Sequence, residues 1–469
     1  MATKSIGRYL IPLLLALVAT GCASVPSRDE VVPRLPEPAT FEGAPAAPAP
    51  APFWERFDDA ALPGLVAEAL EKNDDLRLAE ARIAEAQALL GIARADLFPE
   101  IGARLGGNRT DPGVDSPPDM QTATDKFSLQ GTISWEIDLW GRIRALRGAA
   151  AETLAASVYD REAAELSVAA NVSRVWLGHR VTSAQLESAR STLKSFGEAL
   201  GLQKDRFDAG VIDDLQLQQA TAEEASALAT VKTLELTYLR ERHALAVLLG
   251  KDPAEIDGDT LPVPAGVPAI PEVPPGLPSE LLTRRPDVKA EEARLMAAAG
   301  NLAAARTAYL PSLSLTGYLG SETRSLGDLL KSGTSIWSIG ADLVQAIFAG
   351  GRFRSGIELR EAQQEQVLAI YTRAVRIAFR EVYDSLVAQR SLREAVAARQ
   401  AELRAREKAL ELAGLRYDAG YVGYLEVIDS QRFLFATQQQ ELELRRSALQ
   451  NAVDLMLALG GGWEEGDGE

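Results

Sequence analysis

A five-residue word occurs twice in this chain, as Arg206-Phe207-Asp208-Ala209-Gly210 and again, 210 residues later, as Arg416-Tyr417-Asp418-Ala419-Gly420. The likeness extends on both sides. Leu186, Leu193, Leu200 and Phe207 recur every seven residues before the first copy, and Val396, Leu403, Leu410 and Tyr417 do so before the second. After each copy a helix-like segment runs to a glycine, Gly250 or Gly460. The chain is therefore a tandem duplication of a unit of about 200 residues, and any fold assigned to one half must serve the other.

Apolar residues at seven-residue spacing form one seam of a long helix. Gly210 and Gly420 read as helix C-caps, because glycine takes the left-handed conformation without a Cβ clash. With Asp208 and Asp418 they mark two helix reversals. In the first copy Asp213 and Asp214 then open the returning helix. An ordinary helical hairpin in a bundle has this pattern too, but the lengths are unusual. No proline occurs from Arg142 until Pro253, and none after Pro311. The spans from Arg142 to Phe207 and from Arg352 to Tyr417 are each about 65 residues, or roughly 100 Å of continuous helix. The returning segments, 212–249 and 422–459, add about 38 residues each, where globular helices average about 11–12. Helices of this length suit a coiled-coil rod or tube.

Composition removes most other classes. The formal charge of −17 over 469 residues lacks the basic footprint that nucleic acid requires. Two histidines (His179, His243) and one cysteine leave no inventory for a metal cluster or a thiol nucleophile. There is no phosphate-binding glycine loop after a strand and no Gly-x-Ser-x-Gly elbow. The chain is not expected to be an enzyme or to carry a metal or dissociable cofactor.

The N-terminus carries Lys4 and Arg8 ahead of an apolar run from Tyr9 to Ala19, which is signal-peptide length and too short to span a bilayer as a helix. Ala19-Thr20-Gly21-Cys22 resembles a bacterial lipoprotein cleavage site, with Ala19 where leucine is usual. Residues 1–21 would be removed and Cys22 acylated, and several acyl chains anchor stably at roughly 0.8 kcal/mol per buried CH₂. A chance cysteine in an ordinary signal peptide is the alternative. Ala23, in place of aspartate, favours the outer over the inner membrane. Residues 22–52, rich in proline and alanine, read as an extended tether.

Four segments alternate with period two. Ile101, Ala103 and Leu105 oppose Gly102, Arg104, Gly106 and Asn108; Phe127, Leu129, Ile133, Trp135 and Ile137 oppose Ser128, Gln130, Thr132, Ser134 and Glu136. In the second half Leu313, Leu315 and Leu319 oppose Ser312, Ser314, Thr316 and Tyr318, while Trp337, Ile339, Ala341 and Leu343 oppose Ser338, Gly340 and Asp342. Strands of about ten residues, apolar on one face and small-polar on the other, suit a transmembrane β-barrel with a wet lumen, with Trp140 and Phe348 placed for an interfacial girdle. Half-buried hairpins of a soluble sandwich also alternate. Four strands cannot close a useful barrel and a membrane tolerates no open edge, so several copies of the chain would have to share one barrel.

The expected organisation is a signal peptide (1–21), a tether (22–52), a first repeat (53–252), a proline-rich linker (253–285), a second repeat (286–460) and an acidic tail (461–469). The whole resembles the TolC-like outer-membrane factors of tripartite efflux systems, in their lipoprotein, NodT-type branch. The residues that carry the resemblance are Phe53-Trp54-x-x-Phe57-x-Asp59, Leu282-Thr283-Arg284-Arg285-Pro286-Asp287-Val288 with Ala290-Glu291, and the duplicated Arg-[Phe/Tyr]-Asp-Ala-Gly. The match covers nearly everything after residue 50.

That resemblance implies an α+β membrane protein: a homotrimer whose long helices form an α-barrel across the periplasm and whose strands, four from each chain, share one twelve-stranded β-barrel. The partners would be outer-membrane lipid, a periplasmic adaptor and an inner-membrane pump, most often of the resistance-nodulation-division class. The duct would passively conduct drugs or other toxic solutes. A type I protein-secretion duct is the alternative function, and a non-conducting, lipid-anchored coiled-coil scaffold is a third. By the same resemblance, acidic residues just past the second reversal ring the periplasmic entrance. Glu426 and Asp429 fall on those positions, with glutamate where aspartate is found in the best-known members. The equivalent residues in copy one are Gln216 and Gln219, and Asp213 and Asp214 lie nearer the turn. Three chains would then bring carboxylates around one axis, where they would repel one another and attract cations. Helix first turns favour acidic residues in any case.

Overall fold

The computed structural model describes residues 26–33, 52–111, 123–256, 262, 266–271, 285–331 and 333–461. Cys22, residues 1–21, most of the linker at 253–285 and the tail from residue 462 lie outside the described residues. The elements in order are α1 (Arg28–Val31), a 3₁₀ turn (Phe53–Arg56), α2 (Leu62–Lys72), α3 (Asp74–Ala95), β1 (Glu100–Thr110), β2 (Thr124–Ile137), α4 (Arg142–Asp208) and α5 (Asp214–Leu248). They continue with α6 (Pro253–Ile256), α7 (Pro286–Thr307), β3 (Ser312–Thr323), a 3₁₀ turn (Leu326–Asp328), β4 (Ser335–Val344), α8 (Arg352–Asp418) and α9 (Tyr424–Ala458).

The duplication holds to the residue in the helices. α4 and α8 have 67 residues each, and α5 and α9 have 35 each. α3 and α7 have 22 each. The absence of proline in 142–252 and after 311 leaves each 67-residue helix, Arg142–Asp208 and Arg352–Asp418, unbroken. Within 22–52 the structure differs locally from an extended tether. Residues 28–31 form one helical turn, closed by a capping box in which the Ser27 amide donates to Glu30 Oε2 at 3.0 Å.

The chain divides into two compact units, each built from segments of both repeats. The first unit, from residues up to 35, 81–158 and 290–372, holds the sheet. Its strands pair antiparallel in the order β1-β2-β3-β4. The register puts Ile101, Ile133, Gly317 and Ile339 side by side, with Ala103, Gly131, Leu319 and Trp337 in the next same-face row. One face thus collects Leu105, Leu129, Leu315, Leu343 and Trp135 as well, and the other collects Arg104, Gln130, Thr132, Ser134, Thr316 and Ser338. The apolar face is bare: Ile339 is 82% exposed, Ile101 78% and Trp337 72%. Where β-strands meet helices, the Trp135 indole donates to Leu97 O at 3.0 Å and the Trp140 indole to Pro311 O at 2.6 Å. Phe98, Tyr309 and Phe348 stand exposed at the same strand ends. This is the amphipathic aromatic placement of a membrane interface. No helix among the described residues is long and apolar enough to cross a membrane.

The second unit, from residues 36–80, 159–289 and 373–469, has a conventional core. Phe53, Phe57, Leu62, Leu65 and Val66 bury against Val172, Trp176, Leu177, Leu245, Leu249, Leu449 and Val453. At about 1.5–3 kcal/mol per large apolar side chain, this cluster is what holds the N-terminal helices to the long ones. Asp59 fixes the orientation. It accepts from the Ala61 and Leu62 amides at 2.9 and 3.1 Å, from the Trp176 indole at 2.9 Å, and from Arg180. Burial alone would raise its pKa, but the Arg180, Trp176 and Ala61 hydrogen bonds together hold it below the usual carboxylate range. Arg285 plays the matching part at the head of α7. Buried, it donates from Nε and Nη2 to the two Asp287 carboxylate oxygens at 3.0 and 2.8 Å, and from Nη1 to Glu381 at 2.8 Å and Ala458 O at 3.2 Å.

Candidate gate at the helix reversals

Both reversals are closed by the same backbone bonds. Gly210 N–H donates to Phe207 O at 2.8 Å and Val211 N–H to Arg206 O at 2.9 Å; Gly420 N–H donates to Tyr417 O and Tyr421 N–H to Arg416 O, each at 2.9 Å. This is the Schellman pattern, which satisfies the last carbonyls of the long helix. It demands a left-handed residue, supplied by Gly210 at φ +69° and Gly420 at φ +76°. Asp208 and Asp418 end their helices on the solvent-exposed side.

Beyond the turns the two copies diverge. Asp213 is the N-cap of α5, accepting from the Gln216 amide at 3.1 Å, and Asp214 accepts from the Gln218 side chain at 3.1 Å. At the matching place α9 has Gly423 as N-cap, with no side chain to do this. The acidic groups of the second copy are then engaged differently. Glu426 Oε1 receives Arg416 Nη1 at 2.6 Å, across the turn. Asp429 pairs with Arg432 at 2.9 Å, and Arg432 also approaches Glu223 of α5 at 3.7 Å. The structure brings Glu426 and Asp429 together in one open groove of 510 Å³, which Arg406, Leu425, Ser430 and Phe433 also line. Asp213 and Asp214 are not among its lining residues. Two guanidiniums stand over the Phe433 ring, Arg406 at 4.8 Å and Arg432 at 5.4 Å from its centre.

The two hairpins are also tied directly. Arg206, from the first repeated word, donates to the hydroxyl of Tyr417 in the second and lies 5.7 Å from its ring centre. Tyr417 in turn packs on Tyr424 with ring centres 5.5 Å apart. Burial, and then the neighbouring Tyr417, raise the Tyr424 phenol above its ordinary value, so it stays protonated.

The arginines are what the sequence reading missed. Arg432 stands three residues from Asp429 on one helical face, a spacing that by itself signals a pair. Arg416 stands ten residues from Glu426, and only the geometry of the turn joins them. Arg206 and Tyr417 were both in view inside the repeated word, and their meeting depends on packing between the hairpins. Among the described residues no cluster of His, Cys, Asp and Glu forms a metal site.

A sheet with a bare apolar face, joined to tandem long-helix hairpins, defines the class as that of outer-membrane channels that reach into the periplasm. The model of the outer membrane efflux protein family matches residues 65–251 and 277–461, one match for each repeat. The chain belongs to that family. It is 34% identical over 466 residues to the solvent efflux pump outer membrane protein SrpC of Pseudomonas putida, covering 97% of this chain and 98% of the relative. It is 30% identical over 469 residues to the probable outer membrane lipoprotein SilC of Salmonella typhimurium, covering 97% and 99%. Among solved structures, the CmeC outer membrane channel of Campylobacter jejuni superposes with a TM-score of 0.86 at 27% identity, covering 93% of this chain and 96% of that one. The open state of the Neisseria gonorrhoeae MtrE outer membrane channel superposes with a TM-score of 0.80 at 29% identity, covering 92% and 98%.

Proposed function

We propose that this chain is the outer-membrane exit duct of a tripartite efflux system, passing small toxic organic solutes outward without chemistry of its own. The observation that carries the reading is the four-stranded sheet, bare on its apolar face, with β1 and β4 unpaired along their outer edges among the described residues. In a membrane such edges must be paired, and joining β4 of one chain to β1 of the next satisfies them head to tail. Three chains of four strands make a twelve-stranded barrel. Eight strands are filled by their own side chains and roughly sixteen leave an open aqueous channel, so twelve leaves a bore of solute size. The polar face with Arg104, Gln130, Thr132 and Ser338 then lines the bore.

Energy comes from an inner-membrane pump, of the resistance-nodulation-division class, joined through a periplasmic adaptor. Cys22 carries the acyl anchor, and Glu426 and Asp429 line the periplasmic constriction. The names of the relatives, with solvent and toluene among their cargoes, support organic solutes as the substrate class. The test is deletion in the native host, with retention of dyes, antibiotics, solvents and divalent metals measured alongside complementation by wild type and by Cys22→Ser. Raised retention of organic solutes, reversed by the wild type, is the expected result. Unchanged retention together with loss of a protein from the medium would transfer the function to protein secretion.

A further inference from the structure

Eight charged side chains stand on the four strands, and five of them pair within the chain. Arg109 meets Asp125 at 3.7 Å, Lys126 meets Glu322 at 2.9 Å, and Glu136 meets Arg142 at 2.8 Å. The three left over are Glu100, Arg104 and Asp342, none of which makes an ion pair or hydrogen bond with another described residue. All three belong to the polar face and all three are exposed. They are also confined to the two outer strands, Glu100 and Arg104 on β1 and Asp342 on β4. The unmatched charges of the sheet therefore lie along its two open edges, with opposite signs available for a partner.

The register across a joint of β4 to the β1 of a second copy follows from geometry. The two strands run antiparallel, so the numbers of paired residues have a constant sum, and alternation sets polar-face residues opposite polar-face residues. Within the chain one row of the ladder runs Arg104, Gln130, Gly320, Ile336. Around a closed barrel such a row climbs by the shear, one third of it per chain in a trimer. With strands about 4.8 Å apart and rising about 3.3 Å per residue, a climb of four residues per chain tilts the strands by about 35° and one of six by about 45°. Climbs of two or eight residues fall outside the usual range of about 35–45°. Only a climb toward Thr110 makes β1 and β4 overlap along their lengths; the opposite sense sets Ile336 beside Glu100 or beyond the start of β1. A climb of four puts Arg104 opposite Gly340, and a climb of six puts it opposite Asp342. The charges choose between them. At four, Asp342 lies diagonal to Glu100 as well as to Arg104. At six it faces Arg104 directly and Glu100 is four residues away. The apolar face agrees, because six sets Ala103 beside Leu343 and Leu105 beside Ala341, small against large.

We infer that Arg104 of one chain and Asp342 of the next form an ion pair that fixes the strand register between subunits, repeated three times inside the bore. Directly opposed residues hold their Cβ atoms about 4.5–5.5 Å apart, well within the reach of these two side chains. The inference rests on the head-to-tail joining of β4 to β1 in a shared barrel.

Charge reversal in the full-length protein tests it, read as the temperature at which the trimer dissociates in SDS. Arg104→Asp and Asp342→Arg are each expected to lower that temperature by about 2–10 °C, three joints acting together, and the double variant to restore it. Arg104→Gln removes the pair without adding repulsion and covers the case in which a reversal fails to assemble; it is expected to fall between. Oxidative cross-linking gives the register. Arg104→Cys with Asp342→Cys should yield covalent dimers and trimers, with Arg104→Cys plus Ile336→Cys as the off-register control and wild type as the control for Cys22. Neutral reversals, a double variant that is not rescued, or preferred cross-linking to Gly340→Cys or Ile336→Cys would overturn the pairing. Native mass separates the two levels. A trimer with neutral reversals refutes the ion pair alone, whereas a chain that never forms trimers removes the shared barrel and the pair with it.

Discussion

The acidic residues at the second reversal do not present a bare ring of carboxylates. Glu426 and Asp429 are matched by Arg416 and Arg432 at 2.6 and 2.9 Å, so the four groups sum to zero charge. Selectivity at this point is therefore set by which partner is removed. Glu426→Gln with Asp429→Asn leaves two guanidiniums per chain, and Arg416→Gln with Arg432→Gln leaves two carboxylates. Around a three-fold axis these become charges of about +6 and −6, within or near the Debye length of about 10 Å at 0.1 M salt. The expected result in planar bilayers under a KCl gradient is a reversal potential that moves toward anions for the first variant and toward cations for the second, with both shifts shrinking at 1 M salt. The gating effect is smaller. The Arg416 and Glu426 side chains are 56% and 42% exposed, and such a pair contributes about 0.2–1 kcal/mol, so the open fraction changes by at most roughly fivefold. A carboxylate double variant that merely loses cation preference, with no effect of the arginine variant, would refute the charge balance and restore an unpaired acidic ring.

Tyr417→Phe removes the hydroxyl that Arg206 donates to, at about 0.5–1.5 kcal/mol, and is expected to raise single-channel open probability by up to about tenfold. Gly420→Val forces a β-branched residue to φ +76° and should cost about 1–2 kcal/mol, read as a lowered thermal midpoint; Ala419→Val beside it is the control. Asp59→Ala removes the carboxylate partner of the buried Arg180, which keeps its bond to Gly266 O at 2.8 Å, and is expected to cost about 3–5 kcal/mol, read as loss of folded protein on the outer membrane. The folded Asp59 carboxyl lies below its unfolded value, so its contribution is complete above about pH 4 and fades as the pH falls through the folded value. An acid-melting series should therefore lose its lowest-pH limb in Asp59→Asn, which is already weakened at neutral pH.

The parts of this molecule legible from sequence are those governed by local rules. Proline absence and heptad spacing delimit α4 and α8, glycine after Asp-Ala locates both Schellman turns, and period-two alternation identifies the strands and their two faces. Each depends on neighbours within a few residues. The functions of Asp59 and Arg285 were not legible, although both lie in quoted motifs. Asp59 meets Trp176 and Arg180 over 117 and 121 residues, and Arg285 meets Glu381 over 96. Composition carries no trace of such meetings.

The candidate gate shows the same division within a few residues of chain. Helix first turns attract acidic groups by their dipole, so spacing alone does not show which of Asp213, Asp214, Glu426 and Asp429 would be free of capping. The structure separates them by one difference between the repeats. Asp213 is consumed in capping α5, whereas Gly423 leaves α9 without a side-chain cap and its acidic residues one turn on, free to meet arginines. After the duplication, therefore, the two turns kept the same backbone and were given different charges. The first hairpin supplies the structural cap and Arg206, and the second supplies Tyr417 and the paired charges in the groove. An exact repeat would place two identical hairpins there, with nothing to distinguish the one that ties from the one that is tied.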